Sequence, residues 1–190
     1  VFADVARDFG GMPHCVLANA GVNVPPGPLA QFDPDAFRKL VEINIVGAFH
    51  VLSAAARHVT DGGSIIGLTT SMVRVGIPGG GPYTASKAAV AMLSRQIALE
   101  WGPDVRVNGI SPGPIANTEG MARLAPDDST RQKHYDRIAM KRWGEIEEVA
   151  ECAVFLSSPA AAYITGTILD CDGGSQIGDA SRMDLSKGMA

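Results

Sequence analysis

The chain is poor in aromatic residues and cysteine, and it has no run of charge of one sign. Aromatics make up 6% of its 190 residues, beside 46% hydrophobic and 19% charged residues. The formal net charge is -4 with both signs interspersed, so neither a basic surface for nucleic acid nor an acidic disordered tail is expected. Apolar stretches are interrupted within about ten residues, short of the ~20 that cross a bilayer, so no membrane partner is expected. The opening residues lack the pattern of a secretory signal, and none is expected. Cys15, Cys152 and Cys171 lie far apart and form no CxxC. That excludes a disulfide framework and a cysteine-based metal site, and no metal centre is expected. Buried free thiols in a reducing compartment, and a cytoplasmic enzyme, are the expectation.

What is present is an alternation of short apolar runs with amphipathic segments. "VFADVARDFG" reads as the end of a helix, with Val1, Val5 and Phe9 on one stripe and Gly10-Gly11 as its stop. The chain is therefore expected to open in mid-domain. "HCVLANAG" and "GSIIGLTT" have the continuous apolarity of buried parallel strands. Between them Asp33 caps a long helical segment to about His58, with Pro34 in its first turn. After the glycine-rich loop "SMVRVGIPGGG", a helix is predicted from Pro82 to about Trp101, then a strand in "DVRVNGIS". An irregular stretch follows Pro112, with one or two short helices. Residues 117–142 are expected to form a mobile substrate lid, in which His134 is read as solvated. "GEIEEVAECAVFLSS" predicts an acid-first helix and "GTILDCDGG" a last strand, with 175–190 as a loose tail. Strand and helix alternate four times, which implies one α/β domain over 1–190 with a parallel sheet and helices on both faces. Ligands of such sheets bind at the carboxyl ends of the strands. The loops there begin at Asn19, Thr70, Ser111 and Asp172.

Within "PYTASKAAV", Tyr83 and Lys87 stand one helical turn apart and share a face. A phenol is too weak an acid to exchange protons near neutral pH. An ammonium beside it favours the phenolate and makes it a usable acid or base. Such spacing also arises by chance, so the surrounding motifs decide its meaning.

Those motifs follow in a definite order: "ANAG" after a strand, "INIVGAF" on the next helix, "GSIIGLTTS", then YxxxK, "SPGPI" and "YITGTILDCDGG". Over nearly the whole chain this series resembles the short-chain dehydrogenase/reductase family. The resemblance implies a Rossmann-like three-layer α/β/α fold, an NAD or NADP cofactor, a small carbonyl or alcohol substrate and a homo-oligomer, a tetramer or dimer. It implies that Tyr83 gives a proton to a carbonyl or takes one from an alcohol. Lys87 would lower its pKa and hydrogen-bond the nicotinamide ribose, and Asn44 would hold a water linking the lysine to solvent. Asn19 and Gly21 would lie beside the adenosine half, where glycine lets a cofactor approach the backbone. Pro112, Gly113 and Ile115 would flank the nicotinamide, and Thr118 or Asn117 would contact its carboxamide or the diphosphate.

Two departures from the family pattern stand out. Thr70 occupies the place of the substrate-orienting serine, with Ser71 as the neighbouring hydroxyl. The glycine-rich turn that takes the pyrophosphate is absent, and Gly76 to Gly81 reads as a flexible approach to the Tyr83 helix. At roughly 30 residues per βαβ unit, about 60–80 residues of the usual fold are expected ahead of Val1. With them would go the residue that selects NAD or NADP. Alternatives remain: enoyl reduction, because "PGPIANTEGMARL" resembles 2,4-dienoyl-CoA reductases, and an inactive chain that cannot hold cofactor. The dienoyl reductases do not place their tyrosine in a YxxxK motif, which favours the carbonyl or alcohol reading.

Overall fold

In the computed structural model of the chain, residues 1–182 are described. Four parallel strands, β1 (Cys15–Ala18), β2 (Ser64–Leu68), β3 (Arg106–Pro112) and β4 (Ile168–Cys171), pair in the order β1-β2-β3-β4. The register sets Val16 beside Ile65 and Ile65 beside Val107, so one apolar row crosses three strands. β2 lies between neighbours and under helices on both faces, and every residue of "SIIGL" is buried. β1 is an edge, and its alternation shows it: Ala18 is buried while Leu17 is 45% exposed. The expectation of three buried thiols is not met, and Cys15 shares the exposed face of β1 with Leu17. Cys15 is exposed on β1, and Cys152 and Cys171 are only partly covered. Burial, with Cys152 alongside, pushes the Cys171 thiol up to about 11.

The helix α1 (Phe2–Phe9) stops at Gly10, whose φ of 77° is the left-handed form glycine adopts freely. Its inward stripe differs from the expected one. The helix begins at Phe2, so the i, i+3, i+4 spacing turns Phe2, Val5 and Ala6 inward, and Phe2 stacks on His58 at 5.0 Å. Val1 and Phe9 are left 92% and 84% exposed.

Asp33 caps α2 (Pro34–Val41) by accepting from the Asp35 and Ala36 amides at 3.1 and 3.3 Å. α2 continues through a π turn (Glu42–Val46) into α3 (Gly47–His58). Together Pro34–His58 is long and apolar enough, by length and composition, to cross a bilayer, contrary to the sequence expectation, because a few charges cluster in its first half. Its buried residues, among them Leu40, Ala48, Leu52 and Ala55, are core positions of the folded domain.

α3 and α4 (Gly81–Trp101) cover one face of the sheet, where Leu52, Ala56 and Ile97 meet Ile65 and Val107. Their approach is close: a Cβ on Gly67 of β2 would stand 2.6 Å from Ser94 Oγ and 3.3 Å from Val90 Cγ1. α7 (Ile146–Ser157) covers the other face, with Leu156 against Ile66 and Ile110. Three layers and a parallel sheet confirm the expected fold class. Between β3 and α7 lie α5 (Glu119–Leu124) and α6 (Asp128–Arg137), packed around Ala125, Ile138 and Trp143. Of the expected tail, residues 183–190 lie outside the described residues. Ser175 and Gln176 are tied to Asp172, whose carboxylate accepts from Ser175 Oγ at 3.0 Å and the Gln176 amide at 3.1 Å.

Ile65, fully buried at the centre of the larger cluster, tests this core. Ile65→Ala is expected to cost about 2–5 kcal/mol in urea unfolding, from lost burial and the cavity left behind. Tyr163→Ala, at a fully exposed position, is expected to change stability by no more than about 0.5 kcal/mol.

Candidate active site

The carboxyl ends of the strands open onto a cluster built from α3, α4 and the loop after β1. The π turn carries Asn44, which is 1% exposed. One extra residue in the helical turn re-aims a side chain, and π turns are frequent at functional sites for that reason. Asn44 clamps the β1 loop from both ends of one residue. Its Oδ1 accepts from the Val22 amide at 2.7 Å, and its Nδ2 donates to the Val22 carbonyl at 2.8 Å. Nδ2 also donates to Ser86 Oγ at 3.0 Å, and Ser86 in turn donates to the Tyr83 carbonyl at 2.7 Å. Two segments distant in sequence, the Val22 loop and the Asn44 turn, are thereby locked to the start of α4. Ser86 was not singled out in the sequence; its position between Tyr83 and Lys87, in "TAS", was the available signal.

Lys87 is 5% exposed and donates to the Leu68 carbonyl, the last residue of β2, at 2.9 Å. An ammonium has three donors, so this bond leaves two for a ligand. A Cβ on Gly21 would come within 3.1 Å of Lys87 Nζ and 3.3 Å of Asn44 Oδ1. Only a residue without a side chain lets the β1 loop pass so near both groups. Burial pushes the Tyr83 phenol above its ordinary value and the Lys87 ammonium below its own. For Tyr83 burial sets this direction, and the Lys87 ammonium is turned to Leu68 O.

Beyond β2, Thr69 Oγ1 donates to the Ile110 carbonyl at 2.9 Å and ties the ends of β2 and β3 together. Thr70 caps a short 3-10 turn over Ser71–Val73, accepting from the Met72 amide at 3.5 Å. Ser71 is 3% exposed and its Oγ accepts from Gln176 Nε2 at 3.5 Å. Gln176 thus joins the cluster from beyond β4, and nothing in its polar sequence surroundings marked it.

A second group gathers at the end of β3. A Cβ on Gly113 would meet the Asp172 Cα at 2.6 Å, so backbone of the β4 loop fills the space where a side chain would stand. Ile115 forms an isolated parallel bridge with Gly144. Asn117 takes φ 59°, a left-handed form asparagine tolerates. Thr118 donates to the Ile115 carbonyl at 2.9 Å and caps α5, accepting from Met121 N. Its hydroxyl is therefore engaged within the loop. Asn19 stands exposed at the end of β1.

The residues suited to a nicotinamide and its ribose are present: a lysine with spare donors, glycines that open the backbone, and the buried, unpartnered hydroxyls of Thr84 and Ser111. The Gly76–Gly81 run does not suit a pyrophosphate. Pro82 follows at the start of α4 and removes a helix-end N–H, and the Gly79 carbonyl accepts from Gly27 N at 3.3 Å.

Comparison with known proteins places these features in a wider context. Residues 1–176 match the family model described as Enoyl-(Acyl carrier protein) reductase. The peroxisomal 2,4-dienoyl-CoA reductase of Saccharomyces cerevisiae is 37% identical over 168 residues, covering 87% of this chain and 56% of the yeast protein. Gluconate 5-dehydrogenase of Gluconobacter oxydans is 35% identical over 175 residues, covering 90% of this chain and 67% of that protein. The chain thus spans little more than half to two thirds of the length of these relatives. Among solved structures, a gluconate 5-dehydrogenase from Burkholderia cenocepacia, in complex with NADP and tartrate, superposes with a TM-score of 0.84 at 30% identity. That match covers 93% of this chain and 69% of the other.

The buried lysine gives the cluster a pH signature. Between the depressed folded-state value of Lys87 and the ordinary value near 10.5, the unfolded chain binds a proton that the folded chain does not. Stability therefore rises with pH across that window, as the cost of a buried ammonium is relieved. In urea unfolding as the pH is raised toward about 10.5, the stability of the unaltered chain relative to Lys87→Met is expected to increase. A difference independent of pH would show that Lys87 titrates alike in both states.

Proposed function

The chain belongs to the short-chain dehydrogenase/reductase family, and we propose that it transfers hydride between NAD or NADP and a carbonyl or secondary alcohol, with Tyr83 as the acid or base. The observation that supports this most is the meeting of Gly21, Asn44 and Lys87 under the first turn of α4, with Tyr83 on the same turn. Lys87 holds the nicotinamide ribose with the donors left free by Leu68, and Pro112, Gly113 and Ile115 line the nicotinamide. Asn19 lies toward the adenosine half, and Thr118 or Asn117 toward the carboxamide or diphosphate. The bound nicotinamide supplies the hydride for reduction or accepts it in oxidation.

Tyr83 donates its phenol proton to the substrate oxygen, with the Lys87 ammonium on the same helix face offsetting the burial that raises it. As the carbonyl carbon gains hydride, the oxygen takes the Tyr83 proton and becomes a hydroxyl; the phenolate left behind is stabilised by the nearby ammonium of Lys87. Thr70, with Ser71 beside it, offers a hydroxyl to the same oxygen. Asn44 holds the Val22 loop and a water through which the lysine and tyrosine are reprotonated. Residues 117–142 close over the substrate as a lid.

A second reading, reduction of a conjugated enoyl thioester, is favoured by the identity to the yeast dienoyl-CoA reductase. The outer faces of α3 and α4 expose Phe49, Met92 and Leu99 at 46%, 59% and 80%. These apolar surfaces support a homo-oligomer, a dimer or tetramer, in which α3 and α4 meet a second copy.

Reduction of simple ketones by NADH or NADPH, followed by loss of the reduced-nicotinamide absorbance, tests the main reading. Tyr83→Phe is expected to lower kcat by about 10²–10⁴-fold, while fluorescence of the bound cofactor is retained. Turnover of a dienoyl-CoA in place of ketones would decide for the second reading. Absence of cofactor binding by a chain extended ahead of Val1, where the pyrophosphate turn is expected, would sink both. Met92→Arg is expected to shift the sedimentation coefficient to that of a monomer, and an unchanged coefficient would reject the α3–α4 interface.

A further inference from the structure

Two of the three cysteines meet in the layer between α7 and β4. Cys152 lies on α7 and Cys171 ends β4, and both pack against the cluster of Ile66, Ile110 and Leu156. Cys171 Sγ donates to the Glu148 carbonyl at 3.7 Å. Within a helix that carbonyl also takes the amide of the residue four places on, which here is Cys152. The Cys171 sulfur therefore stands at the turn that carries Cys152, and the two thiols hydrogen-bond to each other. Both are free, and both are partly open to solvent. Cys15 sits on β1, at the opposite edge of the sheet, out of reach of either.

Cys171 is also joined to the loop after β3. It pairs with Pro112 in the sheet register, and its carbonyl accepts from the Gly113 amide at 3.0 Å. A Cβ on Gly113 would lie 2.6 Å from the Cα of Asp172, so no slack separates that loop from the end of β4. In so closely packed a region, a displacement of Cys171 is passed directly to Gly113.

We propose that Cys152 and Cys171 are a redox-sensitive pair, which hydrogen peroxide closes into a disulfide between α7 and β4 that loosens the Gly113–Cys171 bond. The Cys152 thiolate attacks one peroxide oxygen; an S–O bond forms, the O–O bond breaks, and the hydroxide that leaves takes up a proton as water. The Cys171 sulfur then attacks the sulfenic sulfur. The S–S bond forms, the S–O bond breaks, and the departing hydroxide carries off the Cys171 proton as a second water. The two sulfurs together lose two electrons, and one peroxide is reduced to two waters. Burial and the neighbouring Cys152 push the Cys171 thiol up to about 11, which keeps it protonated at neutral pH and unsuited to the first attack. That the closure changes cofactor use rests on the oxidoreductase reading; that the two thiols close does not.

Residues 143–182 form one tryptic peptide that carries both thiols and no other cysteine. Treatment of the folded chain with hydrogen peroxide is expected to remove two hydrogens from the mass of that peptide, and dithiothreitol to restore them. Cys152→Ser and Cys171→Ser are each expected to abolish the loss, while Cys15→Ser leaves it intact. Deuterium uptake at the Gly113 amide is expected to quicken by about threefold or more in the oxidised chain. In a chain extended ahead of Val1, the KM for the nicotinamide is expected to rise by about threefold or more on oxidation and to return with dithiothreitol. Oxidation that stops at sulfenic or sulfinic acid, a disulfide linking two copies, or a closed pair with unaltered Gly113 exchange or nicotinamide KM would overturn the proposal. Reversible closure with faster Gly113 exchange, but without any nicotinamide-linked turnover, would leave the thiol pair standing and remove the oxidoreductase reading. Ketone turnover by a chain whose thiols never close would do the reverse.

Discussion

Asn44 holds both polar groups of the Val22 backbone with one side-chain amide, and most of the proposed site hangs from that clamp. The clamp fixes the loop after β1, which sets Gly21 beside Lys87, and through Ser86 it reaches the turn that carries Tyr83. An asparagine inside a helix ordinarily competes with the helix for hydrogen bonds. Here the π turn supplies the extra residue that points the amide out of the helix and into the loop. At 1% exposure the Asn44 amide has no water to turn to, so each of its bonds is expensive to lose.

The rest of the arrangement follows from how closely α4 lies on the sheet. Gly67 on β2, facing Ser94 and Val90, lets the helix come down onto the strand. That depth carries Lys87 to the Leu68 carbonyl and removes its ammonium from water. The same desolvation makes the Tyr83 phenol a weaker acid and destabilises the Lys87 ammonium, which therefore gains from an anionic neighbour. A phenolate beside it, once a proton has been given away, is such a neighbour. Packing density and proton chemistry are one constraint in this region.

Much of this was legible in the sequence, for identifiable reasons. "SIIGL" could only be a strand covered on both faces, and the Asp33-Pro34 start of the long helix announced itself through capping chemistry. Tyr83 and Lys87 share a face because both lie on one uninterrupted helix, where spacing alone determines direction. The errors arose where direction depends on distant neighbours. Val1, Val5 and Phe9 form a plausible stripe, but α1 begins one residue later and docks through Phe2 on His58. The cysteines lie in apolar segments, yet Cys15 falls on the exposed face of β1, which depends on what packs over that face. Gln176 was taken for part of a loose tail, and Asp172 folds it back toward Ser71.

By itself, the sequence determined the alternation of strand and helix, the family, and the residue types available at the strand ends, because these depend on local pattern and on motif order. Only the tertiary structure decided which hydroxyls and amides meet, where the π turn re-aims Asn44, and how burial raises the Tyr83 phenol. Desolvation and hydrogen-bond pairing are sums over neighbours in space, and those neighbours here come from up to a hundred residues away, as Ser71 and Gln176 do.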